Sequence, residues 1–119
     1  MALEGTLCSI RDIYRSIRNF EVEFQKLHDL SLNEGMLLCS LKEKTYSSGE
    51  IAEMLGLTNS NTSKVIKSVE DKGFVKRMLG DGDKRQMYFC ITDAGKNKLK
   101  EIKCESEKMN TVLSEIRGI

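Results

Sequence analysis

Residues 47–79 read SSGEIAEMLGLTNSNTSKVIKSVEDKGFVKRML, and the punctuation of this stretch decides the fold. Ser47 and Glu50 stand three apart, the spacing of a capping box in which the two side chains satisfy free amides of a helix's first turn. Ile51, Ala52, Met54 and Leu55 supply that helix's apolar side, and Gly56 ends it. Thr58 is a good N-cap for a second helix, predicted to run to Lys72 before Gly73 stops it. Val65, Ile66 and Val69 of this second helix face inward. Asn59, Ser60, Asn61, Ser63, Lys64 and Lys67 are polar and mostly share the other side.

The period then changes. Phe74–Leu79 is a strand candidate, Gly80-Asp-Gly-Asp-Lys84 a turn, and Gln86–Ile91 the returning strand. Two helices joined by a tight turn and followed by a basic hairpin make a winged helix-turn-helix. The fold class is mostly α with a small β-hairpin wing. Its second helix is held by the first, so that its outer face is free to enter a major groove.

Outside this core the chain reads as helix. Leu7, Ile10, Ile13, Ile17, Phe20, Phe24 and Leu27 recur at steps of three and four along a predicted helix from about Leu3 to Leu27. Ser31-Leu-Asn-Glu34 reads as another capping box. Met36, Leu37, Leu38 and Leu41 then mark a short, mostly buried helix. A last helix opens at Thr92 and is predicted to about Arg117, with Leu99, Ile102, Met109, Val112, Leu113 and Ile116 near one seam. The expected organisation is a single domain, 1–119. Its winged core spans 31–92, and helices 1–30 and 93–119 serve dimerisation.

The 119 residues carry a formal net charge of only +1, but unevenly. Residues 59–85 hold seven Lys/Arg against four Asp/Glu, whereas residues 1–58 hold six against nine. A local basic excess on the second helix and hairpin is what phosphate contact requires. No apolar run approaches the roughly 20 residues of a bilayer span, and the first residues lack a signal peptide's basic start and apolar block, so a cytoplasmic protein is expected. His28 is the only histidine, and Cys8, Cys39, Cys90 and Cys104 form no C-x-x-C pair, so no metal site or cofactor is expected. The chain also lacks a nucleophile motif and a phosphate-binding glycine loop, which argues against an enzyme.

The exposed set suits duplex DNA. Asn pairs bidentately with adenine, Ser donates to bases or phosphates, and Lys neutralises phosphate or reads guanine. Lys84 and Arg85 at the hairpin tip are expected in the minor groove or on the backbone, since arginine is drawn to its negative potential. Asp83 braces that arginine or the turn; the plain alternative is a surface ion pair. A rival from another class is a winged-helix protein-interaction module, which would show exposed apolar side chains on the second helix and wing tip.

At this point the residues resemble the MarR family of bacterial regulators. The resemblance rests on Ser48-Gly-Glu-Ile-Ala-Glu-Met-Leu-Gly-Leu-Thr58, on Val69-Glu-Asp-Lys-Gly-Phe-Val75, and on Asp83-Lys-Arg85 followed after five residues by Ile91-Thr92-Asp-Ala-Gly95. It implies a homodimer built on the terminal helices, with two winged motifs facing successive major grooves of a roughly palindromic operator. It further implies a repressor whose release is triggered by a small-molecule effector or by cysteine oxidation. Cys8, with Tyr14 not far behind, is the candidate redox residue of a thiol-based regulator. The alternative is a small, partly buried apolar residue. Two departures stand out. Only 27 residues follow Thr92, fewer than the family usually carries. Thr62 also occupies a position where the family more often has an apolar residue; its hydroxyl is free to bond to the backbone. Cys39 is expected in the core among its apolar neighbours.

Overall fold

The computed structural model describes residues 5–80, 86–103, 110 and 114. In chain order the elements are α1 (Thr6–His28), α2 (Leu32–Ser40), β1 (Tyr46–Ser47), α3 (Ser48–Leu55), α4 (Asn59–Asp71), β2 (Val75–Leu79), β3 (Met87–Ile91) and α5 (Asp93–Lys103). The architecture is mostly helical with a small antiparallel sheet. Two compact units divide the chain, one from Met1–Ser31 with Ile102–Ile119 and the other from Leu32–Glu101. Among the described residues no helix is long and apolar enough to cross a membrane.

The second unit is built where the punctuation residues put it. Ser47 Oγ accepts from the Glu50 amide at 3.2 Å and the Ser47 amide donates to Glu50 Oε1 at 3.0 Å, a complete capping box for α3. Gly56 closes α3 at φ 67°, in the left-handed region that glycine enters without a Cβ penalty. Thr58 Oγ1 accepts from the Asn61 amide at 3.1 Å and starts α4. Leu37 and Leu38 of α2, Ile51 of α3 and Ile66 and Val69 of α4 meet in a core that excludes solvent almost entirely. Burying each such side chain contributes about 1.5–3 kcal/mol.

The hairpin strands pair antiparallel from Val75↔Ile91 to Leu79↔Met87. A third strand, β1, pairs with β3 through Tyr46↔Phe89 and Ser47↔Tyr88, giving the order β1-β3-β2. Two residues are too few to show an alternating pattern, so this strand is invisible to periodicity. Thr92 fastens the sheet to the next helix. Its hydroxyl donates to the Gly73 carbonyl at 2.6 Å and accepts from the Gly95 amide at 3.1 Å. The α5 backbone at Gly95 lies so close to the Phe74 carbonyl that a Cβ there would collide with it, which accounts for glycine in the Ile91–Gly95 stretch.

Three readings of the sequence are corrected. Met36 is exposed beside the buried Leu37 and Leu38, because α2 buries only one face. Cys39, expected in the core, is exposed on the same helix for the same reason. The strands begin one residue later than expected at each end of the hairpin, at Val75 and Met87. Cys104 and most of the seam beyond Lys103 lie outside the described residues.

Candidate nucleic-acid interface

The six α4 residues singled out from the sequence, Asn59, Ser60, Asn61, Ser63, Lys64 and Lys67, are all exposed. Thr62, Ile66 and Val69 are the buried residues of this helix. At 3.6 residues per turn, the direction opposite them is occupied by Ser60, Lys64, Lys67 and Asp71. Asn59 and Ser63 lie on one flank of that face, and Asn61 on the other. The helix thus presents a polar face with two lysines, backed by an apolar face that fixes it to α2 and α3.

Thr62 resolves as a structural residue. It is 1% exposed, and its hydroxyl donates to the Thr58 carbonyl at 2.8 Å within the helix. The C-terminal half of α4 is tied on both flanks. On one, Glu34 Oε2 of α2 accepts from Ser68 Oγ at 2.7 Å and from Lys72 Nζ at 3.1 Å. On the other, Arg77 of β2 makes a two-pronged pair with Glu70, Nε to Oε2 at 2.8 Å and an amino nitrogen to Oε1 at 3.0 Å. The Arg77 guanidinium lies 5.5 Å from the Phe89 ring centre. Its hydrogen bond to Glu70, then the carboxylate's charge, raises its pKa above the usual arginine value. Neither tie is visible in a local pattern. Glu34 lies 34 residues from Ser68, and its sequence neighbours read only as a cap.

Lys67 also faces Asp71 at 3.6 Å, with both side chains largely exposed. A pair of this kind contributes about 0–1 kcal/mol and breaks readily for a ligand. Asp83, Lys84 and Arg85 lie outside the described residues. Cys8 is exposed in the first turns of α1, where Tyr14 is exposed as well. His28 is buried at the end of that helix with its ring 4.9 Å from Phe24. Among the described residues no group of three or more His, Cys, Asp or Glu is placed to hold a metal ion.

Comparison with known proteins gives matches in both sequence and fold. The model of the MarR family matches residues 30–87, from the start of α2 into β3. The uncharacterised HTH-type transcriptional regulator YwaE of Bacillus subtilis is 36% identical over 64 residues. That match takes in 54% of this chain and spans 37% of the length of YwaE. Among solved structures, the transcriptional regulator BldR from Sulfolobus solfataricus superposes with a TM-score of 0.79 at 26% identity, over 98% of this chain and 85% of BldR. MepR from S. aureus, in its complex with DNA, shares the fold with a TM-score of 0.76 at 18% identity, over 97% of this chain and 85% of MepR.

Proposed function

We propose, from the match of residues 30–87 to the model of the MarR family, that this chain is a regulator of transcription, not an enzyme, that binds duplex DNA sequence-specifically. The observation that carries this reading is the division of α4. One face is locked into the core, while the other holds Ser60, Lys64 and Lys67 open to solvent. A rigid helix with an exposed face of hydroxyl and ammonium groups matches the dimensions and the acceptor-rich edges of a major groove. The interaction-module reading calls for exposed apolar side chains on the second helix and the wing tip; α4 has none, whereas Met78 and Leu79 at the end of β2 are exposed. MepR, with this fold, was solved bound to DNA.

The finer reading is a cytoplasmic homodimeric repressor. α4 enters the major groove, with Asn59, Asn61 and Ser63 reaching bases or backbone from its flanks. The wing, with Lys84 and Arg85 at its tip and Asp83 bracing it, enters the minor groove. Dimerisation is supported by α1, which leaves Leu7, Ile10, Tyr14, Val22 and Leu27 exposed. A small-molecule effector that lifts repression completes the reading.

Selection from a pool of random duplex DNA at moderate salt tests it. A palindrome should emerge, with half-sites about 10 base pairs apart. Lys64→Ala should reduce the slope of log affinity against log salt by about one, the loss of one phosphate contact. Absence of both enrichment and salt-dependent binding would transfer the fold to protein recognition.

A further inference from the structure

We propose that Glu34 is the positioning residue of the recognition helix, a buried carboxylate on α2 that fixes the axial position and rotation of α4. The inference rests on the reading of α4 as the helix that meets bases. Glu34 is 7% exposed and carries an acid two residues into α2, where a cap alone would leave the side chain at the surface. A carboxylate so far removed from water is stable only when it accepts charged or strongly polarised hydrogen bonds. Here one oxygen accepts two, from Ser68 on α4 and from Lys72, four residues on at the C-cap of that helix.

That spacing is one helical turn, so the two donors are stacked along the α4 axis on the same flank. A single oxygen held by both of them resists sliding of α4 along its axis and rolling about it. Apolar packing of Ile66 and Val69 gives cohesion but weaker direction, since dispersion contacts tolerate small rotations. Hydrogen bonds do not, because they weaken steeply as their angle closes.

The consequence falls on the outward face. With side chains, a helix is about 10–12 Å across, so a 15° roll moves the reading atoms by about 1.5 Å. Two-pronged hydrogen bonds to a base do not survive such a shift, whereas a lysine on a phosphate follows it with its flexible stem. Loss of the Glu34 charge should therefore lower discrimination between specific and random DNA by about tenfold, the worth of one good base contact. Affinity for random DNA and its salt slope should stay as they were.

Glu34→Gln keeps the shape, so the fold is retained, but its neutral amide oxygen replaces the charge-assisted bonds from Ser68 and Lys72 with bonds about half as strong. Two measurements decide the proposal. In the first, amide hydrogen exchange of the free protein is followed in α3 and α4, for Glu34→Gln and for wild type brought to the same stability with urea. Faster exchange confined to α4 is expected of the variant. Equal acceleration in both helices, as in the urea control, would make Glu34 a general stabiliser and overturn the idea. In the second, the ratio of specific to random DNA affinity is measured well below the melting temperature. An unchanged ratio in the variant, beside clear wild-type preference, overturns it as well. Should wild type show no sequence preference, the DNA-reading assignment of α4 fails instead, and hydrogen exchange alone still decides whether Glu34 positions that helix.

Discussion

The helices α1 and α4 are both amphipathic, yet their exposed faces are opposite in character. In α4, Thr62, Ile66 and Val69 are buried within its own unit, and what remains outside is polar. In α1, only Phe24 and His28 of 23 residues are buried, and Leu7 stands 79% exposed at the start of a stripe that includes Ile10 and Tyr14. An apolar stripe already used by the core frees the other face for a polar ligand. An apolar stripe left over is the kind of surface that the proposed dimer would cover. The same 3.6-residue pattern therefore carries two meanings, and only burial tells them apart.

The largest effect that could break this contrast comes from paired truncations. Ile66→Ala removes a side chain that is 2% exposed and should cost about 2–5 kcal/mol, through lost transfer energy and the cavity left behind. Leu7→Ala should change unfolding by less than about 0.5 kcal/mol in dilute protein, as surface substitutions do. Its effect should appear as weaker self-association in sedimentation. Urea unfolding at two protein concentrations measures both. A Leu7→Ala cost equal to that of Ile66→Ala at the lower concentration would mean that α1's stripe is already satisfied within one chain.

A middle effect sharpens the account of how α4 starts. Thr58→Ala deletes the oxygen that accepts from the Asn61 amide. It should cost about 1 kcal/mol of stability, the usual worth of an N-cap. The exposed first turn, including Asn59 and Ser60, should fray with it. Far-ultraviolet dichroism during urea unfolding gives the first number, and amide exchange of residues 59–62 gives the second. Full protection of that turn in the variant would show that packing, not the cap, holds this end of α4.

How legible these helices were follows from the range of the forces involved. Caps, the left-handed Gly56 and the hairpin act within four or five residues, so Ser47, Glu50, Thr58 and Gly73 marked the ends of α3 and α4 in the sequence itself. Contacts across the fold left no such mark. β1 is two residues long, and it exists because β3 offers it an edge. Glu34 read as a cap because its donors lie a whole supersecondary unit away. Cys39 and Met36 sit in an apolar run that could not reveal which face of a short helix is covered. Of the candidate interface, residue types and their placement on α4 were readable from periodicity. The ties that orient the helix, Glu34 to Ser68 and Lys72 and Arg77 to Glu70, depend on pairing between elements.

The smallest effect tests the division of labour within α4 most finely. Thr62 is a polar residue on the buried face, and its hydroxyl and its amide both donate to the Thr58 carbonyl, at 2.8 and 2.9 Å. Thr62→Val removes the hydroxyl donor but leaves that carbonyl its amide partner, so no buried acceptor is orphaned. The lost hydrogen bond is worth about 0.5–1.5 kcal/mol. The methyl that replaces it gains about 0.8 kcal/mol of apolar burial. The two nearly cancel, and stability should change by less than about 1 kcal/mol. Because this side chain is sealed from solvent, DNA affinity should not change at all. A stability loss above about 2 kcal/mol would show that the hydroxyl holds the first turn of α4. Weakened DNA binding with unchanged stability would show that the buried face shapes the outer one, and the clean separation of the two faces would have to be given up.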